Sequence, residues 1–440
     1  MITQIRFKVF LVFLLSTVPY LSFYSQQKNE EYVNDNFLRN EDHVYKPHIK
    51  TVLCHESSFE MNPAMIELNS DQKIQVSFDD LEGGFKTFQY TFLHCDAAWN
   101  PDDLMVSEYL SGFFDDQINI RNSSFNTTVQ YTHYKFQFPN SALQFIKSGN
   151  YLLMVYENGN KEDLVLTRRI MVYENLVNIS ARVHTPLGSE KLYNSHEVDF
   201  SVFYKNYQIT NPYLDLKVII TQNQRWDNAI SGLKPVFVKE NELVFDFDDG
   251  SNCFNATNEF RSTDIKSYKY PGPGSEKIFR DSVSKQFQVI QKKDEQRTFK
   301  RYLNVQDING RMLIKCNECN NPDVESDYML VHYFLPFDLP PDNGDIYIVG
   351  GFSRWKCTPE NKMIYDSRLK GYKGTLMLKQ GYYNYQYAFL RDGDNQLDIE
   401  YIEGNQGQAE NDYTIFVYHR SNGTYYDRLI TVKNLNSVRN

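Results

Sequence analysis

The stretch FLHCDAAWNPDDL, from Phe92 to Leu104, sets His94, Cys95 and Asp96 side by side. These are the residue types of a thiol nucleophile, its base and an orienting acid, and such groups must converge in space to act together. An extended segment prevents this, because successive side chains point to opposite faces. His94 and Asp96 then share one face and Cys95 takes the other. No glycine-rich elbow surrounds Cys95. The expectation is a core thiol, a locally bonded His94, a turn held by Asp96, and Trp99 anchored beneath that turn. Downstream, NPDDLMVSEYLSGF predicts a short helix. Asn100 would cap it, Pro101 would occupy its first position, Asp102 and Asp103 would face its positive end, and Gly112 would stop it.

The remaining chemical candidates are weaker. Cys316 and Cys319 have C-x-x-C spacing, but a structural zinc site needs a second pair and a redox site needs a βαβ setting. A local disulfide or two free thiols is the reading. RDGDNQLD places Asp392, Asp394 and Asp398 together, yet its glycine is second, where a calcium loop needs it sixth. Adjacent acids such as Asp79–Asp80 cannot face one another across a cleft as glycosidase pairs do. No catalytic, cofactor or metal residue is assigned, and the chain reads as a non-enzyme.

Whatever these residues do, strands must position them. The 440-residue chain holds 32 Tyr and 31 Phe, types that favour strands, and a formal charge of −10, which offers nucleic acid no basic footprint. Residues 1–25 read as a secretory signal: Arg6 and Lys8, a short apolar run, then small Ser25. A polar leader, loosely docked or disordered, covers 26–45. No later apolar run is long enough to span a membrane. From there the chain alternates apolar and polar in short runs such as KIQVSFDD, FQYTFLHC and YKFQFPN. NYLLMVYENGNKEDLVLTRRIMVYE reads as a hairpin turning at Asn158–Gly159. The pattern predicts an all-β chain of tandem immunoglobulin-like sandwiches. Their expected extents are 46–174, 175–320 and 325–440, with CNECNNPDVESD as a polar hinge before the last.

The ordered segments SFDDL, YTFLHCDAAWNPDDL, EYLSGF, TTVQYTHYKFQFPN, SGNYLLMVYE and LTRRIMVYE resemble the type IX secretion system plug protein family of Bacteroidota. Later segments, among them DINGRMLIKC, IYIVGGFSRW and YYDRLI, are similar to that family too. The resemblance implies a periplasmic protein that binds the giant outer-membrane translocon barrel and closes its periplasmic opening. It also marks a signature whose role would be structural: His94, Cys95, Asp96, Trp99, Pro101, Gly112, Tyr134, Pro139, Gly149, Asn150, Arg168 and Arg169. The last sandwich resembles an early-set, glycogen-binding module. That resemblance implies a rival role, a periplasmic or surface carbohydrate-binding protein with Trp355 as its sugar platform. The second stacking tryptophan of such modules, expected after the DG turn, is missing from RDGDNQ.

Overall fold

The computed structural model describes residues 37–186 and 194–438. The expected signal peptide lies outside them. Among the described residues no helix is long and apolar enough to cross a membrane. Strand accounts for 46% of the described residues and helix for 5%, so side-chain positions depend almost wholly on sheet register.

These described residues form one compact unit built from three sandwiches. In the first, one sheet is organised around Phe88–Cys95, Gly149–Glu157 and Asn160–Tyr173, and the other around Ile49–Glu56, Ile74–Asp80 and Thr132–Phe138. The hairpin turn has left-handed Asn158 and Gly159, with φ of 54° and 77°. This is the geometry that an Asn-Gly turn supplies between twisted strands. Phe78, Phe92, Tyr134, Tyr151 and Leu153 are among the side chains filling the core between the two sheets.

The strand Gly149–Glu157 is buried at every position but its last. An alternating strand with one solvated face would not be. Its second face is covered by the middle sandwich: Leu152, Cys95 and Met171 pack with Ile219, Phe416, Tyr418 and Leu429. Face-to-face packing of sheets from two sandwiches therefore explains the continuous apolar run YLLMVY.

The middle sandwich corrects the expected boundaries. Its sheets are Asn178–His184 with Ser195–Phe203 and Glu242–Phe245, and Leu216–Gln222 with Asp412–His419 and Arg428–Asn436. Tyr413, Ile415, Val417 and Ile430 fill its core. The final hairpin, read from sequence as part of the third sandwich, thus completes the second. Leu216–Gln222 pairs with Asp412–His419 over its whole length, and the hairpin adds Tyr413, Ile415 and Val417 to the core that Val218 and Ile220 enter. The third sandwich is correspondingly an insertion. Its core runs from Ile265 to Ile402 and includes Val331, Leu335, Ile348 and Tyr387.

Two other expectations change. The end of the leader is docked, not loose: His43–Val44 adds an edge strand against Thr167 and Leu166. The segment expected to be a hinge is clasped instead. Cys316 and Cys319 form a disulfide, Asn321 caps the helical turn Pro322–Glu325, and the backbone N–H of Phe125 in the first sandwich donates to Val324 at 2.8 Å.

Candidate functional site

The chain contains three tryptophans. Trp99 comes from the first sandwich, Trp226 from the middle one and Trp355 from the third. Trp99 and Trp226 meet edge to face at 5.1 Å, and Trp226 and Trp355 both line a cavity of about 290 Å³ at the common junction. Arginines occupy the ring faces. Arg169 lies 4.7 Å from the Trp99 ring and 5.5 Å from the Trp226 ring. Arg225 lies 4.1 Å from the Trp355 ring. Such cation–π contacts gain strength when desolvated.

Local structure explains how the side chains arrive. Arg168 and Arg169 are neighbours on Asn160–Tyr173, so alternation sends them to opposite faces. Arg169 faces the middle sandwich and donates from Nη2 to the Asn40 carbonyl at 2.7 Å. Arg168 is buried and donates from Nη1 to the carbonyls of Thr167 and His43, at 2.7 and 3.1 Å. Burial, with the Arg354 guanidinium nearby, pushes its pKa down to about 10. The Asn40 and His43 carbonyls belong to the leader, so these bonds fasten it to the first sandwich. Trp99 and Trp355 both sit in left-handed backbone, with φ of 68° and 59°, at the tips of tight turns.

The signature corner is built as a clamp. Asp96 Oδ1 accepts from the N–H groups of Ala98 and Asn100, both at 2.9 Å, and Trp99 N–H donates to the Asp96 carbonyl at 3.0 Å. The predicted helix is shorter than expected. It spans only Val106–Tyr109, begins after Met105, and uses Glu108 to accept from the Met105 N–H at 2.7 Å. Pro101 instead bridges back to Cys95, so Asn100 caps nothing. Gly112 ends no helix. It lies in a strand with φ of 92°, where a Cβ would fall 2.2 Å from the Ala142 carbonyl.

His94 is buried, bonds Asp102 through Nδ1, and lies 3.2 Å from the Ser148 carbonyl through Nε2. Gly149, φ 143°, passes so close that a Cβ would sit 2.4 Å from His94 Nε2. Cys95 points the other way, into the inter-sandwich cluster. The imidazole and thiol are therefore not brought together. Burial pushes the Cys95 thiol up to about 12, and Cys54, Cys253 and Cys357 are raised to the same level for the same reason. None of the four is poised as a thiolate. Tyr134 stacks on Phe78 at 5.2 Å, its hydroxyl accepting from the Lys86 N–H at 2.8 Å. Pro139 follows Phe138 through a cis peptide.

Asn150 joins two sandwiches. Its Nδ2 donates to the Asp96 carbonyl at 3.0 Å, and its Oδ1 accepts from the Tyr418 hydroxyl at 2.8 Å. Asp427, which sequence reasoning did not single out, completes this interface. It accepts from the Ala97 N–H, Lys217 Nζ and Arg420 Nε at 2.7–2.8 Å. Burial alone would raise its pKa, but these three donors hold the carboxyl below the usual aspartate range.

The first and third sandwiches share a second buried polar cluster. Asp79 accepts from Lys379 Nζ and the Tyr328 hydroxyl, both at 2.7 Å, and bonds His133 at 2.7 Å. Lys379 and Asp79 are each 1% exposed at the side chain. One signal was legible in retrospect: Lys379 ends the apolar strand GYKGTLMLK, where a buried ammonium requires an acid.

Trp355, the proposed sugar platform, is 8% exposed. Arg225 covers its ring, and Phe260 meets it edge-on at 5.8 Å. The surface a sugar would stack on is already occupied by protein.

A family model described as the first domain of the type 9 secretion system plug protein matches residues 49–174. A solved structure of a hypothetical protein from Parabacteroides merdae ATCC 43184 is 34% identical, covers 91% of this chain and 100% of its own, and superposes with a TM-score of 0.85. The chain belongs to the type IX secretion system plug protein family. Its match to the family model spans the first sandwich, which contains the Asp96 corner, Asn150 and the Arg168–Arg169 pair. A second solved structure, dimeric latent PorU from Porphyromonas gingivalis, is 10% identical over 89% of this chain and 34% of its own, and its TM-score of 0.16 is below that of a shared fold. No curated protein matches the plug family chain.

Proposed function

We propose that this protein is a non-enzymatic periplasmic plug, which binds the periplasmic opening of the type IX outer-membrane translocon barrel and seals it against leakage. The observation that carries the reading is the locking of three sandwiches into one body by buried polar bridges. Asp427 and Asn150 tie the first to the middle sandwich, and Asp79 with Lys379 ties the first to the third. A stopper bears load across a pore, and hinged domains would let solutes pass between them. Buried charged pairs contribute little net stability but resist separation strongly, because pulling them apart leaves an unpaired buried charge. Family membership supports the same reading.

Tagged protein should recover the translocon barrel from detergent-solubilised envelopes. Recovery of no outer-membrane barrel in any secretion state overturns the proposal. Deletion should also sensitise cells to vancomycin, which is too large for ordinary outer-membrane pores. Unchanged sensitivity in a strain whose translocon carries no substrate counts against it.

A further inference from the structure

Residues 292–311 connect Phe287–Gln291 to Met312–Ile314 without any strand or helix. Ordered loops of such length in a compact domain are uncommon and usually functional. This one is inside out. Its polar groups point inward. Arg297 donates from Nε to Glu403 at 2.7 Å and from Nη2 to the Glu259 carbonyl at 2.8 Å. Thr298 donates from its hydroxyl to the Tyr401 carbonyl at 2.8 Å, and Tyr302 bonds Glu259 through its own. Asp294 accepts from the hydroxyls of Tyr385 and Tyr387 at 2.7 and 2.6 Å. Three of its apolar side chains point outward: Phe299 is 99% exposed, Leu303 71% and Val305 41%.

A loose loop would fold its phenylalanine onto the nearest apolar surface. Here the inward anchors hold Phe299 and Leu303 in water, an exposure that a partner's apolar surface would relieve. The charge beside them states the partner's chemistry. KKDEQRTFKR, residues 292–301, carries five basic residues against two acidic in a chain of net charge −10. Arg297 and Asp294 are used internally, while Lys292, Lys293 and Arg301 are exposed.

We propose that the 299–305 loop is the docking element of this protein, inserting Phe299 and Leu303 into an apolar socket rimmed by carboxylates on the translocon. This rests on the plug reading and names the contact. Phenylalanine and arginine are both enriched at protein interfaces.

The test uses the full-length protein, F299S/L303S and R301E, with purified detergent-solubilised translocon as the probe. Because the altered side chains are exposed, melting should not change. The double variant should lose affinity by about ten-fold or more, and R301E should bind more weakly with a shallower salt dependence. If wild type binds and F299S/L303S binds equally well, the loop assignment falls and the plug reading stands. If wild type itself does not bind the translocon, both fall. Phe299-dependent co-sedimentation with phosphatidylglycerol vesicles, or Phe299-dependent self-association, overturns the protein socket in favour of lipid or a second copy.

Discussion

The carboxylate of Asp427 accepts a hydrogen bond from the backbone N–H of Ala97 at 2.8 Å, although the two residues are 330 positions apart. That bond places the turn after His94-Cys95-Asp96 against the last strand of the middle sandwich. The residues that first suggested catalysis thus shape a joint between sandwiches. Asp427→Ala would leave the Ala97 N–H without its acceptor and Lys217 and Arg420 without their shared carboxylate. A loss of about 1–3 kcal/mol is expected, mainly from the unsatisfied N–H, because Lys217 and Arg420 are 41% and 37% exposed and regain water; it is read as a lowered urea midpoint. Asp427→Asn, which keeps one acceptor oxygen, should lose less.

Lys379→Met should destabilise by about 3–5 kcal/mol, because it removes the ammonium paired with a carboxylate 1% exposed and leaves Asp79 only Tyr328 and His133. Pairing it with Asp79→Asn should recover part of the loss, since the buried charge is then gone. A double-mutant cycle from chemical denaturation measures the coupling, and simple additivity would mean the pair does not act as a unit.

Gly149→Ala should cost about 2–4 kcal/mol. Its φ of 143° strains any side chain, and the new methyl group would press on His94 Nε2. A thermal melt equal to wild type would show that His94 can move aside.

Trp355→Ala should lower stability by roughly 3–5 kcal/mol, the usual cost of emptying a large aromatic site. It removes the ring beneath Arg225 and beside Phe260. In affinity gels, soluble glucan should retard neither wild type nor variant. Retardation of wild type that Trp355→Ala abolishes would restore the carbohydrate reading.

Acid should unfold the protein through its buried carboxylates. The Asp79, Glu403 and Asp427 carboxyls would be raised by burial alone, but their cationic and hydrogen-bonding partners hold all three below their ordinary ranges. A carboxyl depressed in the folded state contributes stability that is present above its unfolded pKa and lost as pH falls through its folded one. Asp307 works oppositely. Burial raises it to about 6, so its contribution is present at low pH and lost as pH rises through about 6. Glu60, Glu197 and Glu259 are raised by burial as well, but Asp42, Glu174 and Asp412 join the depressed carboxyls, which outnumber the raised ones, and the urea midpoint should fall steeply below about pH 4. A flat profile down to pH 3 would contradict these assignments.

The sequence by itself determined the local terms. Alternation placed Cys95 and His94 on opposite faces, Asn158–Gly159 set the hairpin turn, and the aromatic-rich short runs specified an all-β chain. These depend on neighbours within a few residues, which one sequence displays. Helix length was misjudged because Pro101 and Asn100 suit a tight bridge as well as a cap, and only pairing with Cys95 decides between them. Tertiary structure alone decided that the final hairpin belongs to the middle sandwich, that Asp427 and Asn150 bond across the joint to Ala97 and Tyr418, and that all three tryptophans share a junction. Those outcomes depend on which apolar faces cover one another and which buried charges find partners. They are properties of surfaces brought together from distant parts of the chain, and no local pattern encodes them.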